Sequence, residues 1–497
     1  MKNFCTHLFL ITLSIFIFSC NGEDGMDGID GVDGVDGVDN GLGILALSGE
    51  ITNEEAAEIV TEGFGTNTHT ILITNTTNLT ALDLSNISSL VKLEVSDNEN
   101  LQNLSLPDLE STAENITINN NPTLERIDFQ NLRTTLGSLS VSSNAMLTSI
   151  NLTSLTSTSG LSFFQHPLLE NINLPLLVKV DGNLSISNHA NLTNLELGVT
   201  ELGFLNISRN DNLLAINLPN IINAKGIGVS GNLVLENINL PVLETISSEG
   251  TSRLNIDGNT NLTTINISNL THAGIISITG NANLTAFNAD VLTTVNSIRI
   301  DRNPSLITTS FPNLESGGSI SINRNGALTG FNFNSLTLLD IGLTTTSNSA
   351  LTALSFPLLR SIGSENRVDF VIRNNGSINS ISFPSLAIYG GNNTGSIEIR
   401  EVGLETVNFA QLATISSFTI NSNTTLTTAD LSSIQNFDRI SFTRLSTAVI
   451  DTIITQLVNI TPAITGKNIS ITGTASAQAL IDIETLRTNG NTVNIVE

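Results

Sequence analysis

Two histidines have a spacing that could bring their imidazole rings together. His166 and His189 lie 23 residues apart and hold equivalent positions in neighbouring copies of a repeat described below. Stacked copies would place the rings about 5 Å apart, and imidazole is a common ligand of transition metals. A structural metal site usually needs four ligands, and no third ligand shares this position. We therefore favour a structural role for both histidines and predict no metal site and no cofactor.

Three arginines form a second constellation. Arg302 and Arg324 hold the same repeat position in neighbouring copies, and Arg299 and Asp301 lie close to them in the sequence. A basic patch on an otherwise acidic chain could contact a carboxylate or sulfate of an acidic glycan. The alternative is a solvated surface on which the arginines balance local aspartates. The sequence leaves both interpretations open and marks the three arginines as a candidate ligand patch.

The motifs of the common catalytic sites are absent from the sequence. It contains no Gly-x-Ser-x-Gly, no His-Glu-x-x-His and no phosphate-binding loop, and its two cysteines, Cys5 and Cys20, both fall near the N-terminus. A polysaccharide-degrading β-helix enzyme would need several acidic or basic residues to converge on one face, and the sequence does not show such a cluster. We predict that the chain is not an enzyme, and we keep this enzyme class as the less favoured alternative.

Charge and composition narrow the range of partners. The 497-residue chain has a formal net charge of −26, whereas nucleic-acid binding needs clustered Lys and Arg. Hydrophobic residues make up 40% of the chain, but Trp is absent and Tyr occurs once. The core must therefore be built from Leu, Ile, Val and some Phe. This composition argues against nucleic acid as a partner and favours a thin, repetitive core.

Residues 1–19 are predicted to be a lipoprotein signal peptide. An apolar run over 8–18 is too short to span a bilayer as a helix. The sequence "IFSC" at 17–20 resembles a bacterial lipobox, from which Phe18 departs because it is bulkier than the usual residue. This resemblance implies that Cys20 is acylated and anchors the mature protein in the outer membrane, exposed at the cell surface. A plain secretory signal and an uncleaved anchor are the alternatives.

Residues 20–41 are predicted to comprise the lipidated cysteine and an acidic tether. Glycine recurs at every third position from Gly22 to Gly37, with aspartate in most third positions. A collagen helix needs more triplets and imino acid, so we predict a flexible, self-repelling segment. Calcium binding stays open, although the Asp spacing matches no standard calcium loop. The segment resembles the Gly-Asp tethers of surface lipoproteins in Bacteroidota, which is the only ground for naming that phylum.

A repeat of roughly 22 residues fills most of the remaining chain. The tetrapeptide Ile-Asn-Leu-Pro begins at Ile172, Ile216 and Ile238. The full pattern is Leu-x-Ile-x-x-Asn-x-x-Leu-x-x-Ile-x-Leu-Pro-x-Leu. Each copy predicts two short strands that bury their apolar face only when copies stack. We therefore predict an all-β fold: a right-handed parallel β-solenoid of about sixteen turns over residues 70–435.

The repeated asparagine is the most diagnostic position. Its amide both donates and accepts, so it can satisfy backbone groups at the corner of every turn. Thr76, His166, His189 and Val402 replace it in four turns. Three steps of 27 residues, which end at positions 259, 375 and 402, predict inserted loops. The predicted structural ladder consists of Asn98, Asn121, Asn144, Asn210, Asn232, Asn259, Asn281, Asn303, Asn325, Asn348, Asn375 and Asn423.

Other repeat positions predict the interior and the surface. Five phenylalanines in one register predict an interior stack of rings: Phe311, Phe333, Phe356, Phe383 and Phe409. Outward positions of the first strand are small and polar: Thr117, Ser140, Ser162, Ser185, Asn206, Asn255, Ser277 and Ser321. Sugar-binding surfaces usually offer aromatic rings, and the sequence suggests only Phe164 on this surface. A broad, shallow face of this kind favours protein recognition somewhat over tight oligosaccharide binding.

The pattern "LNISRNDNLLAINLPNI" resembles a leucine-rich repeat, and more closely the solenoid of receptor L domains. The resemblance covers about residues 70–435. It implies a module that binds a protein or carbohydrate ligand, because most members of that family do so. The segments that join the strands are too short for long helices, which favours a straight solenoid over a horseshoe.

Both ends of the solenoid are predicted to be capped, as open solenoids require. Residues 42–69 contain a short acidic helix with Thr52 or Asn53 as its N-cap. Residues 436–497 contain an amphipathic helix capped by Ser446, followed by a strand, a second helix near 475–488 and a final strand. We assign a structural role to both caps.

Taken in order along the chain, these features are an anchor, a tether and a rod. They predict a lipid-anchored cell-surface recognition or adhesion protein that binds a protein or glycan ligand through its repeat face. A structural surface spacer without any ligand is the alternative, since a face of Ser, Thr and Asn has the same composition as an ordinary solvated sheet.

Overall fold

The fold is that of a computed structural model, which describes residues 41–250, 252–363, 369–389, 395–421 and 424–496. The predicted signal peptide, the acylated Cys20, the tether up to residue 40 and the ladder position Asn423 lie outside the described residues. Among the described helices, none has the length and apolar character needed to cross a bilayer.

One long parallel sheet, called the main sheet, forms a complete face of the solenoid. Each of its twenty long strands, called rungs, comes from one turn of the chain and pairs in parallel with the rungs before and after it. The rungs are Ile44–Gly49, Thr70–Thr76, Lys92–Ser96, Ile116–Asn119, Thr134–Ser142, Ser157–Phe164, Lys179–Ser187, Glu201–Ser208, Asn223–Ser230, Arg253–Asp257, His272–Thr279, Thr294–Asp301, Ser316–Asn323, Leu338–Thr346, Asp369–Asn375, Ser396–Val402, Thr414–Asn421, Asn436–Phe442, Asn468–Thr472 and Thr492–Val496.

The predicted solenoid class is therefore confirmed, but the predicted count of sixteen turns is too low. The sixteen rungs from Thr70–Thr76 to Thr414–Asn421 correspond to the repeats recognised in the sequence. One further rung precedes them and three follow them, because the predicted caps contribute strands of their own to the main sheet. These four strands lack the ladder residue, which is why the repeat pattern does not reveal them.

A second face of the solenoid consists of short strands, also in parallel pairs. These strands carry the Ile-x-Leu part of the repeat and form five small sheets. They are Ala81–Asp83, Asn103–Ser105, Arg126–Asp128 and Ser149–Asn151; Asn171–Leu174 and Asn194–Leu197; Ala215–Asn217, Asn237–Asn239 and Thr264–Asn266; Ala286–Asn288, Thr308–Ser310 and Gly330–Asn332; and Ala353–Ser355, Ser380–Ser382, Thr406–Asn408 and Thr428–Asp430.

The extra residues of the three 27-residue turns interrupt the main sheet. In each of these turns a separate two-residue strand pairs with its neighbours ahead of the rung. Two turns of ordinary length are divided in the same way. The short strands are Ser89–Leu90, Ser111–Thr112, Thr245–Ile246, Ser361–Ile362 and Ile388–Tyr389.

The core runs between the two faces as stacked rows of Leu, Ile and Phe. Pairing places equivalent residues directly above one another, as in the row Ile227, Leu254, Ile276 and Ile298, all buried. The five phenylalanines predicted as an interior stack are each 0% exposed. Their ring centroids lie 5.0, 5.5, 5.0 and 5.5 Å apart in chain order, with nearly parallel planes. This confirms the predicted ring stack.

The described part of the chain has three helices, and they lie at the ends of the solenoid. Helix α1 (Asn53–Gly63) has Thr52 as its N-cap, and the Thr52 and Glu55 side chains each accept a backbone N–H bond of the other residue. Helix α2 (Thr447–Val458) begins after Ser446, whose side chain makes no capping bond. Helix α3 (Ala477–Thr488) packs against α2. Five apolar residues of α2 are buried over the last turns: Val449, Ile450, Ile453, Ile454 and Leu457.

Candidate ligand-binding face

A sharp corner ends most rungs, and the ladder residue sits in it. The residue just before the ladder position has positive φ in turn after turn, for example 57° at Arg302 and 55° at Arg324. This left-handed conformation disfavours most side chains, and glycine provides it at Gly231, Gly258 and Gly280. The corner turns the next side chain inward, so the asparagine becomes fully buried. All eleven described ladder asparagines are 0% exposed.

The ladder is a continuous chain of hydrogen bonds from Thr76 to Asn375. Each ladder residue donates its backbone N–H to the side chain of the ladder residue one turn later, over 2.7–3.4 Å. Each asparagine Nδ2 also donates to the carbonyl of an interior rung residue, as Asn281 does to Ile256 over 3.0 Å. The amide therefore satisfies one donor and one acceptor of the backbone in every turn. Val402 holds the same register without an amide and is 5% exposed.

His166 and His189 reproduce this bonding with their ring nitrogens. Nε2 of His166 lies 3.0 Å from the Val141 carbonyl, and its Nδ1 lies 3.4 Å from the Asn144 backbone nitrogen. Nε2 of His189 meets the Phe163 carbonyl at 3.2 Å, and its Nδ1 meets the His166 nitrogen at 3.2 Å. Each Nδ1 also lies near a backbone carbonyl, that of Asn144 at 3.2 Å for His166 and that of His166 at 3.3 Å for His189. A neutral ring protonated at Nε2 donates to the rung carbonyl and accepts the backbone N–H at Nδ1, as the ladder asparagines do. The histidines thus take the place of asparagine.

The two imidazoles stack with their centroids 5.3 Å apart, and both are 0% exposed. Burial lowers the pKa of His166, and two backbone carbonyls that favour the charged form do not compensate. The pKa of His189 falls to about 4, chiefly through burial and then through the neighbouring His166. Over the described part of the chain, no three metal-ligating side chains come together. The pair is built into the ladder.

The outward surface of the main sheet is one continuous face to which all twenty described rungs contribute. The predicted outward residues are half-buried or exposed there and include Thr117, Ser185, Asn206 and Ser321. Pairing places them side by side on successive rungs, as Ser162, Ser185 and Asn206 show. Because rungs repeat about every 4.8 Å, the face presents polar groups in rows along the solenoid.

The three arginines of the candidate patch converge on one buried carboxylate. Asp301 is 1% exposed and accepts two bonds from Arg324, of 2.8 and 3.0 Å, and one from Arg299, of 3.0 Å. Arg302 approaches the same carboxylate at 3.9 Å. The side chains of Arg299, Arg302 and Arg324 nevertheless stay 54%, 64% and 50% exposed. We call this group the arginine cluster; it carries two positive charges beyond the one it neutralises.

Asp301 and the arginines of the cluster stabilise each other's charged forms. Burial by itself raises the pKa of Asp301, but the hydrogen bonds and charges of Arg324 and Arg299 outweigh it and lower the pKa overall. The bonds from Arg324 in turn raise the pKa of that guanidinium. Asp301 is therefore ionised at neutral pH and holds the arginines in place. The outer edges of the guanidinium groups stay available to a second anion.

Phe204 is the outward residue that the sequence analysis missed. It lies on the same sheet surface as Phe164, and the two rings are 39% and 38% exposed. Its position follows from the register, since Phe204 pairs with Asn183 and Gly226 on the neighbouring rungs. Counting six residues back from the ladder residue Asn210 would have found it.

Comparison with solved structures gives distant likenesses, of which one is described here. The chain is similar to the functional domain of InlJ from Listeria monocytogenes, which includes a cysteine ladder, at 16% sequence identity over 86% of this chain and 74% of that chain, with a TM-score of 0.19. No protein-family model and no curated protein matches the chain. A likeness this distant carries no argument about function, so the function must be argued from the chain's own surface.

Proposed function

We propose that the chain is a lipid-anchored cell-surface recognition protein that binds a protein or glycan ligand on its main sheet. The outward surface of that sheet is the observation that carries the proposal. It joins rows of small polar side chains to the half-exposed arginine cluster. A rigid, regular surface loses little conformational entropy when a ligand binds.

The arginine cluster supports the same proposal through its charge. The whole chain is strongly acidic, with a formal net charge of −26, yet three guanidinium groups are gathered around a single carboxylate. Guanidinium groups bind carboxylates and sulfates in two-pronged hydrogen bonds. An anionic group of a ligand is therefore the expected partner of this part of the face.

Anchoring at Cys20 belongs to the proposal on sequence grounds. The motif "IFSC" places a cysteine directly after an apolar segment, and an acidic Gly-Asp stretch follows. Metabolic labelling with a palmitate analogue tests this step: the wild-type chain should be labelled and Cys20→Ala should not. Label retained by Cys20→Ala would contradict the anchor and leave the recognition role to be judged separately.

A binding screen tests recognition. The purified chain is applied to immobilised glycans and extracellular matrix proteins, with an Arg299→Gln/Arg324→Gln variant beside it. Saturable binding by the wild type that weakens in the variant supports recognition through the main sheet. An absence of saturable binding by a chain with a β-rich circular dichroism spectrum would contradict recognition and favour the structural spacer.

A further inference from the structure

A shallow depression interrupts the outward surface of the main sheet, and its floor lies four rungs from the rung that Arg324 follows. It has a volume of about 530 Å³, which falls within the range of small-molecule sites. Its floor is formed by Gly226 and Gly228, on the rung Asn223–Ser230. On the flanking rungs the positions beside Gly228 carry Asn206 and Asn255. We call it the Phe204 depression, after the aromatic ring at its edge.

The local packing requires a glycine at one of these two positions but not at the other. A Cβ at Gly226 would lie 2.9 Å from the Phe204 ring, so glycine is needed there for the ring to lie against the strand. A Cβ at Gly228 would meet only the Leu205 carbonyl at 3.6 Å and the Asn206 Oδ1 at 3.8 Å, which are ordinary contacts. Neither glycine has a positive φ. The packing around Gly228 therefore does not require a glycine, and the missing side chain leaves open space above the strand. Glycine in a strand often marks the close approach of a ligand.

The edges of the depression offer aromatic, amide and cationic groups. Phe204 rests on Gly226 and is still 39% exposed, so it is an aromatic platform held in place before any ligand arrives. The amides of Asn183, Asn206 and Asn255 line the same space. An aromatic ring can pack on the C–H face of a pyranose, while amides bond its hydroxyl groups. This combination suits a sugar ring.

The charge of the depression favours an acidic sugar. Arg253 lines it and is exposed, and it has no ion-pair partner among the described residues. Lys225, on the rung that forms the floor, and Arg209, just after the rung of Phe204, are also exposed. The carboxylates of the four rungs that line the depression are Asp181, Glu201 and Asp257. Asp181 forms an ion pair with Lys179, and Asp257 accepts a bond from the Thr279 hydroxyl. A cation left unpaired in so acidic a chain is positioned to bind a carboxylate.

We propose that the Phe204 depression binds a uronic-acid unit of a linear acidic polysaccharide that runs along the main sheet toward the arginine cluster. The rung that carries Arg299 lies two rungs beyond Arg253, a distance of about 10 Å. The next carboxylates of the same polymer would reach Arg299 and Arg324. This inference rests on the proposed recognition role and specifies its ligand.

Calorimetric titration of the full-length chain with oligogalacturonate tests the proposal. Wild-type protein should bind saturably and more weakly as salt is added, because charge contributes to binding. Phe204→Ala removes the platform, and Gly228→Asn fills the depression with the residue found on both neighbouring rungs. Each should raise Kd by about tenfold or more. Phe164→Ala, an equally exposed ring of the same sheet, is the control and should change Kd less than about twofold.

Each alternative result has a definite meaning. No binding of oligogalacturonate by the wild type overturns the proposal, and so does binding that Phe204→Ala and Gly228→Asn leave unchanged. A poly-glutamate peptide that binds with the same dependence on Phe204 overturns it in favour of an acidic peptide. If a neutral dextran oligosaccharide binds as tightly as oligogalacturonate, the role of Arg253 is overturned. In any of these cases, a hit in the broader screen of glycans and matrix proteins would preserve the recognition role. Thermal melts verify that the Gly228→Asn chain is folded.

Discussion

The ladder position requires a small side chain that accepts one hydrogen bond and donates another. Asparagine meets this requirement in the eleven described ladder positions, and neutral histidine meets it at His166 and His189. An inward-facing residue without these groups leaves two buried backbone groups unpaired, each at a cost of about 1–3 kcal/mol. The repeat therefore constrains this residue more strongly than any surface residue.

Replacing Asn281 with Val should lower the free energy of unfolding by about 2–5 kcal/mol, because two buried backbone groups lose their partners. The Asn259 backbone N–H loses its acceptor, and the Ile256 carbonyl loses its donor. Urea unfolding measures the change. Asn173→Ala, an exposed asparagine of the second face, is the control and should stay within about 0.5 kcal/mol of wild type. Equal effects of the two changes would contradict the role of the ladder.

The two ladder histidines should make stability depend on pH. The pKa of His189 is about 4 in the folded chain, below the value of about 6.5 expected when unfolded. The unfolded chain therefore takes up the proton first as pH falls. The stabilisation is complete above about pH 6.5 and is lost as pH falls toward 4, by about 2 kcal/mol for His189 between pH 7 and pH 5. The lowered pKa of His166 acts in the same direction.

Urea unfolding at the two pH values checks this dependence. The control is the double variant His166→Asn/His189→Asn, which keeps the ladder bonding and removes the imidazoles. Carboxylates contribute equally to both proteins, so the difference between their pH slopes isolates the histidines. The prediction is wrong if the wild type and the double variant lose the same free energy on acidification.

At the scale of the element, each turn is held by its neighbours. A single rung has few contacts of its own, and its interior residues pack against equivalent residues one turn away, as in the ring stack from Phe311 to Phe409. Parallel rings at 5.0–5.5 Å bury apolar area and add aromatic contacts. The stack compensates for the absence of Trp and spreads stabilisation over five turns. Damage in one turn should therefore reach its neighbours.

Phe333→Ala should lower the free energy of unfolding by about 3–5 kcal/mol, since it opens a cavity in a fully buried stack. Its ring lies 5.0 Å from Phe311 and 5.5 Å from Phe356. Phe164→Ala removes the same side chain from an exposed place and should cost far less. Urea unfolding followed by circular dichroism compares the two variants. A loss for Phe333→Ala no greater than that for Phe164→Ala would contradict the packing argument.

At the scale of the whole molecule, the solenoid is a stack with two ends. Twenty rungs at about 4.8 Å give a face about 90 Å long. Each end presents a strand edge and an open core, and both invite association with other chains. Helix α1 packs on the first rung, and α2 buries five apolar residues over the last turns. The caps therefore prevent the ends of the solenoid from associating with other chains.

A chain that ends at Ser446 should associate in a concentration-dependent way. The deletion removes α2, α3 and two rungs, and it uncovers the buried Ile440 and Phe442. Sedimentation velocity at several concentrations compares it with the complete chain. Leu480→Ser, which changes an exposed apolar residue of α3, is the control and should sediment as the wild type does. A truncated chain that sediments identically at every concentration would contradict the capping role.

The sequence by itself was enough to determine the class of fold, the ladder and the interior. Burial recurs with the repeat, so Asn281 and Phe333 can be assigned inward positions from spacing alone. The helices were also predictable, because Thr52 and Glu55 form a local capping pattern. A capping pattern can be recognised within a single turn, and inward positions can be recognised by comparing equivalent positions of successive repeats. Neither kind of prediction depends on which surface side chains contact each other.

Only the tertiary structure decided which surface groups come together. Asp301 lies beneath Arg324, 23 residues away, and Phe204 rests on Gly226, 22 residues away. Outward positions vary from turn to turn without a burial pattern, so the repeat does not single them out. The two strands of the C-terminal cap were predicted, but their pairing with the main sheet was not, because strand pairing through backbone groups needs no ladder residue. Stacking of turns creates the face, and the candidate site belongs to that face.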